Sequence, residues 1–174
     1  MKLSYLWQGP PGHPIHPPLT DVVIGAYTFA LITAIFDVAG WSEHSAAHAW
    51  WLALVVGLVV TVPTALTGLL DWLKITWGSE LWTTATAHMA AMVSASIFFG
   101  LAALLGHDDW QAGDITAAPF VLTLAGWLLL TVGGWLGGAI VFGHGMRVLD
   151  LPEEPATVAA KPLPSPQEEA AEGG

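Results

Sequence analysis

The chain has 174 residues, of which 54% are hydrophobic and only 10% are charged, with 4 Lys and Arg against 14 Asp and Glu. A soluble domain carries about a quarter charged residues, so this composition excludes an ordinary soluble enzyme and indicates a membrane protein. The formal charge of −10 argues against nucleic-acid binding, and the absence of cysteine excludes disulfides, iron–sulfur ligation, thiolate zinc sites and cysteine nucleophiles.

The first predicted element, residues 1–18, is an arm rich in proline and histidine. It contains His13-Pro14-Ile15-His16-Pro17, which places two imidazoles three residues apart on a chain that proline stiffens. The arm lacks the apolar region of a cleavable signal peptide. We therefore expect it to dock against the membrane domain as a fairly rigid lid.

Four apolar segments follow, and each is long enough to cross a membrane. They run from Leu19 to Ala39, from His48 to Trp72, from Trp82 to Leu105 and from Pro119 to Phe142. About 20 residues, rising about 1.5 Å each, cross the roughly 30 Å hydrocarbon core. Because backbone groups in lipid must bond internally, these segments are predicted to be helices. The short connections predict an all-α integral membrane four-helix bundle of up-down-up-down topology over residues 19–148.

The last predicted element, residues 149–174, is an acidic tail rich in Pro, Ala and Glu, a composition typical of disorder. The basic residues give the orientation of the bundle. All of them fall on the side that holds both termini, namely Lys2, Lys74, Arg147 and Lys161. The positive-inside rule therefore predicts that both termini are cytoplasmic.

The histidines are the most informative polar residues, since ionisable groups in or near membrane spans are costly and are functional candidates by default. The predicted topology divides the seven histidines into a cytoplasmic set and an outer set. The cytoplasmic set is His13, His16, His88 and His144, and the outer set is His44, His48 and His107. Asp71 ends the second span on the cytoplasmic side, and we expect it to share an inward polar stripe with Thr64 and Thr67.

The cytoplasmic histidines predict a cofactor site, because imidazole is a common metal ligand and haem b iron takes histidine pairs from facing helices. We expect His88 to be one axial ligand, completed by His144 or His16, with His13 as a further candidate. Asp71 would orient one of the imidazoles. The alternative is a zinc, iron or copper ion held by His13, His16, Asp71 and His88.

Two further features leave their interpretation open. Gly126, Gly133 and Gly137 share one face of the fourth span with His144, and such a groove admits either a neighbouring helix or a flat macrocycle. The outer histidines are candidates for a second cofactor or a surface metal site. No internal repeat is strong enough in the sequence to be used.

Several of these motifs resemble one known family. They are the opening Gly12-His13-Pro14-Ile15-His16-Pro17, the segment Thr67-Gly68-Leu69-Leu70-Asp71-Trp72, the early His88 of the third span, and a glycine-rich fourth span closing in His144-Gly145. The pattern resembles a bacterial family of predicted membrane proteins of unknown function (domain of unknown function 2231) over residues 12–148. The resemblance implies a protein of the bacterial inner membrane.

The resemblance also implies a redox role, since some relatives look like fusions to, or neighbours of, Rieske-type iron–sulfur domains. This chain has no cysteine and no appended domain, so its partner would be a separate redox protein or a quinone. The leading hypothesis is therefore a small membrane electron carrier rather than a stand-alone enzyme. The alternative is a non-catalytic subunit or assembly factor of a larger membrane complex, in a homo- or hetero-oligomer and without a cofactor. A permease ranks last, because the histidines cluster at the two ends of the spans.

Overall fold

The structure is a computed structural model, and it describes residues 5–9, 13–42 and 44–148. These residues form helices and no strands. The helices are α1 (Tyr5–Gln8), α2 (His16–Val38), α3 (Ser45–Trp72), α4 (Glu80–Leu105), α5 (His107–Ala112) and α6 (Ala117–Gly138), and α6 continues into a π-helical turn, Ala139–Gly143. The predicted disordered tail and part of the N-terminal arm lie outside the described residues.

Four of these helices are long and apolar enough to cross a membrane, namely His16–Val38, Ser45–Trp72, Glu80–Leu105 and Ala117–Gly143. They confirm the four spans expected from the sequence, and each begins two or three residues earlier than its apolar run. Pro17 and Pro18 occupy the first turn of α2, where a missing N–H leaves no bond unmade. His16 therefore belongs to a membrane-spanning helix rather than to the arm in which the sequence placed it.

The four long helices form an up-down-up-down bundle, as predicted, in which α2 packs closely against α3 and α4 packs closely against α6. The two hairpins meet through looser contacts of α3 with α4 and of α2 with α6. We call the end that holds the starts of α2 and α4 and the ends of α3 and α6 the inner end, because the sequence predicts that it faces the cytoplasm. The opposite end is the outer end.

The outward faces of the bundle are apolar, as a lipid environment requires. Large hydrophobic side chains are more than half exposed along the helices, among them Val59, Val62 and Leu66 of α3 and Trp135 of α6. The interior is filled mainly by alanine and by a few large side chains, of which Trp50, Tyr27 and Phe99 are the largest fully buried ones. Small interior residues let membrane helices approach closely.

The two hairpins share a pattern of close contacts between a ring and a glycine. Tyr27 of α2 lies against Gly57 of α3, and Phe99 of α4 lies against Gly126 of α6. Tyr27 and Phe99 stack on each other with ring centroids 3.8 Å apart and an interplanar angle of 10°. Along the chain, Tyr27 and Phe99 are separated by the same number of residues as His16 and His88. These equivalent contacts indicate that the two hairpins are related by an approximate twofold symmetry.

No internal repeat is strong enough to use in the sequence, and the one seen here is a repeat of packing. The equivalent positions are occupied mostly by different apolar residues, so the sequences of the hairpins share few identities. The hairpins share the positions at which an aromatic or imidazole ring packs on a glycine of the neighbouring helix. This feature depends on how the helices pack.

Candidate cofactor site at the inner end

His16, in the first turn of α2, is fixed against α3 by its Nδ1 atom. Nδ1–H donates to the carbonyl oxygen of Thr64 at 3.0 Å and lies 3.2 Å from Thr67 Oγ1. The ring lies over Gly68, where an added Cβ would come 2.8 Å from His16 Cε1. Because a carbonyl oxygen can only accept, Nδ1 carries a proton, and in the neutral ring the lone pair is then on Nε2.

His88, two turns into α4, is held in the same way on α6. Its Nδ1–H donates to the carbonyl oxygen of Gly133 at 2.7 Å. The ring lies over Gly137, where an added Cβ would come 3.2 Å from His88 Cε1. Each hairpin therefore carries the same unit: a histidine on its first helix, a carbonyl acceptor on its second helix, and a glycine one turn further along that helix.

The two units face the same end of the bundle. Both imidazoles lie towards the inner end, because α2 and α4 begin there and each histidine stands within the first turns of its helix. Within the described part of the chain, both imidazoles use Nδ1 for their hydrogen bonds and leave Nε2 without a partner. A histidine whose Nδ1–H is bonded to a carbonyl presents Nε2 as a basic, oriented ligand atom.

Asp71 has a role different from the predicted one. Its side chain is buried at the end of α3, where Oδ1 accepts from Lys74 Nζ at 3.3 Å and from Arg147 Nη2. Arg147 reaches it from the segment that follows α6. Backbone carbonyl groups, not Asp71, orient the imidazoles. The inward polar stripe is confirmed, since Thr64, Thr67 and Asp71 are all buried.

The other two predicted ligands differ from this pair in being exposed. His144 is exposed, and its Nε2 lies 3.3 Å from Thr84 Oγ1. His13 is exposed in the segment before α2. Across residues 5–9, 13–42 and 44–148, no three His, Asp or Glu side chains are arranged so that they could hold a metal ion. The set proposed for a zinc, iron or copper ion is therefore not assembled.

The glycine face of α6 is a helix-packing face in this structure. Gly126 lies against Phe99, Gly133 against Met92, and Gly137 against His88, so side chains of α4 fill the groove. The absence of Cβ atoms on α6 thus lets the His88 ring approach a backbone carbonyl group. Of the two interpretations of the groove, the neighbouring helix occupies it.

The outer histidines do not converge on one point. Nδ1 of His44 bonds to the carbonyl oxygen of Gly113 at 3.2 Å, and Nδ1 of His48 bonds to that of His44 at 2.6 Å. His107 packs against Trp51 and Trp110 beside an open groove of about 640 Å³ between α3 and α4. These contacts hold the outer loops together.

Sequence reasoning singled out His16 and His88 but missed what holds them. The carbonyl groups of Thr64 and Gly133 leave no signature in the residue types. Gly68 did carry a signal, since it stands inside the Thr-Gly-x-x-Asp-Trp segment within an apolar helix, where glycine otherwise weakens helix formation. Gly137 carried the corresponding signal in α6.

The family described as "Predicted membrane protein (DUF2231)" matches residues 12–150. This match covers most of the chain, including all four long helices and both histidine units. No curated protein and no solved structure matches the chain. The chain belongs to this family of predicted membrane proteins.

Proposed function

For this member of the DUF2231 family, we propose that His16 and His88 would hold a haem b at the inner end, and that the protein carries electrons within the membrane. The observation that carries the proposal is the matched pair of Nδ1–H···O=C bonds, which leaves two oriented Nε2 atoms on two facing hairpins. Bundles that bind haem b draw their histidine pairs from facing helices in this way.

The number of available ligands favours haem over a bare ion. A zinc, iron or copper ion in a protein takes three or four side-chain ligands, whereas a porphyrin supplies four nitrogens and needs only two axial imidazoles. Of the predicted ligands at the inner end, His16 and His88 are both held through Nδ1 with Nε2 left over, while Asp71 is already bonded to two cations. The donor set therefore fits an axial pair.

The immediate surroundings also suit an electron carrier. Haem iron supplies a one-electron couple, and the residues around it set its potential through hydrogen bonds to the axial ligands. Here the Thr67 hydroxyl group lies beside Nδ1 of His16. The equivalent position in the second hairpin is Leu136, which has no hydroxyl group to offer His88. The exchange partner would be a separate redox protein or a quinone at the inner membrane.

The test is the absorption spectrum of the detergent-solubilised full chain, purified from cells supplied with haem. We expect a six-coordinate low-spin haem spectrum that His16→Ala and His88→Ala each abolish. His144→Ala and His13→Ala are matched controls and should retain it, because both side chains are exposed and neither is one of the two proposed ligands. Circular dichroism of each variant reports whether the helices survive.

Two results would reject the proposal. One is a protein that stays colourless and metal-free after haem is supplied. The other is a haem spectrum that survives both His16→Ala and His88→Ala. A colourless protein that co-purifies with defined membrane partners would instead favour the accessory-subunit hypothesis.

A further inference from the structure

A second polar site lies at the inner end, on the side of the bundle where α3 ends. A cavity of about 520 Å³ opens between the α3–α4 connection and the segment after α6. Both basic residues among the described ranges, Lys74 and Arg147, line it. They lie far apart in the sequence, and folding brings them to one place.

The two cations retain donors for a ligand. They share one carboxylate oxygen of Asp71, so the trio carries a surplus positive charge. An ammonium group has three donors and a guanidinium group has five, and a single oxygen occupies only one of each. Both side chains remain partly exposed, 48% for Lys74 and 34% for Arg147.

The cavity lining includes both polar and apolar side chains. Thr76, Ser79 and Gln8 add hydrogen-bonding groups to the two cations, while Ile75, Leu81 and Met146 add apolar surface. Such a surface matches a molecule that has an anionic head and a hydrocarbon portion beside it. A free inorganic anion would leave these apolar side chains uncovered.

The tryptophans around the cavity place it at the level of lipid head groups. Trp77 and Trp82 lie with ring centroids 4.2 Å apart, and Trp72 and Trp82 lie 6.0 Å apart. Clusters of tryptophan at the ends of spans mark the membrane–water interface. The adjoining helix surface is apolar and exposed, as at Leu73 and Trp77.

From this geometry we propose that Lys74 and Arg147 form a binding site for the phosphate of an anionic phospholipid, with the start of its acyl chains on Ile75, Leu81 and Met146. Basic pockets beside membrane helices bind such head groups, and anionic lipids are concentrated in the cytoplasmic leaflet. The site does not involve His16 or His88, so it stands independently of the haem proposal.

Native mass spectrometry of the full chain, released from micelles of mixed phosphatidylglycerol and phosphatidylcholine, tests the site. We expect preferential retention of phosphatidylglycerol. Lys74→Gln and Arg147→Gln should each reduce the preference for phosphatidylglycerol over phosphatidylcholine about fivefold, since one basic residue near an anionic lipid surface raises affinity by about that factor. Lys161→Gln removes the same charge from outside the described residues and is the matched control. Added inorganic phosphate should not displace the lipid.

Three results would overturn the proposal. The first is equal retention of the two lipids by the unaltered protein. The second is a loss of preference in Lys161→Gln as large as that in Lys74→Gln, which would assign the effect to net charge. The third is displacement of the lipid by inorganic phosphate, which would assign the site to soluble anions. If Arg147→Gln does not fold, Lys74→Gln decides the outcome, because the Lys74 side chain is half exposed.

Discussion

A single methyl group at Gly68 tests how the His16 ring is held on α3. In Gly68→Ala, the new Cβ would lie 2.8 Å from His16 Cε1 and 3.3 Å from Nδ1. Carbon atoms pack at about 3.5–4.0 Å, so the ring must move away from the Thr64 carbonyl group or the two helices must separate. Either response loses contacts that the hairpin now makes.

The size of the effect follows from three contributions. Overpacking a close helix contact costs about 1–3 kcal/mol. Weakening the hydrogen bond from Nδ1 to Thr64 adds about 1 kcal/mol. Alanine favours the helix over glycine by about 0.5–1 kcal/mol, which acts in the opposite direction. We therefore expect Gly68→Ala to lower the free energy of unfolding by about 1–3 kcal/mol, which corresponds to a fall in Tm of about 2–12 °C for a chain of this size.

Thermal unfolding in detergent, followed by circular dichroism, measures this change. Gly138→Ala is the matched control, because nothing lies within 4 Å of a Cβ built there and the site is also in an inner-end helix. The control should melt at or slightly above the Tm of the unaltered protein. If Gly68→Ala is as stable as Gly138→Ala, the ring does not lie on α3 as described and the reasoning fails.

Three more substitutions test the packing and the ion cluster. Thr123→Val removes the buried hydroxyl acceptor 3.0 Å from Trp50 Nε1 and should lower the free energy of unfolding by about 1–3 kcal/mol, measured from the fall in Tm. Thr131→Val, at an exposed position, should change it by almost nothing. Equal losses in the two variants would contradict the assigned bond. Phe99→Ala leaves a cavity beside Tyr27 and should lower the free energy of unfolding, measured with denaturant, by about 3–5 kcal/mol. A loss under about 1 kcal/mol would show that the Phe99 ring is not buried there. Asp71→Asn should lower the free energy of unfolding by only about 1 kcal/mol at low salt, because both cationic partners are partly exposed. The difference from the unaltered protein should shrink as salt is added. A loss that does not depend on salt would speak against ion pairing.

The spans could be predicted because their cause is local. Each run of apolar residues is longer than the hydrocarbon thickness, and lipid leaves a helix as the only way to satisfy its backbone groups. The starts were placed two or three residues late because the prediction followed hydropathy. Helix caps and first turns tolerate polar residues and proline, as Ser79 shows by accepting from the backbone N–H of Trp82 at 3.0 Å.

The sequence singles out part of the candidate site. His16 and His88 could be singled out, because an ionisable side chain is costly in so apolar a chain and therefore marks a functional candidate. Their partners could not be found in this way, since the acceptors at Thr64 and Gly133 are backbone carbonyl groups that every residue has. The roles expected of His144 and Asp71 rested on their being at the same end of the bundle. Nearness along the membrane normal does not fix which groups come into contact.

The sequence by itself determined how many helices cross the membrane, in what order they alternate, and which ionisable groups share an end. Those properties depend on apolar length and on short connections, and both are read along the chain. Only the tertiary structure decided that two hairpins are related by an approximate twofold symmetry, that their imidazoles are bonded through Nδ1, and that Lys74 and Arg147 meet at one carboxylate. Such relations depend on the rotation of each helix about its own axis, which is set by how rings lie on glycines of a neighbouring helix and is therefore a property of the packed bundle.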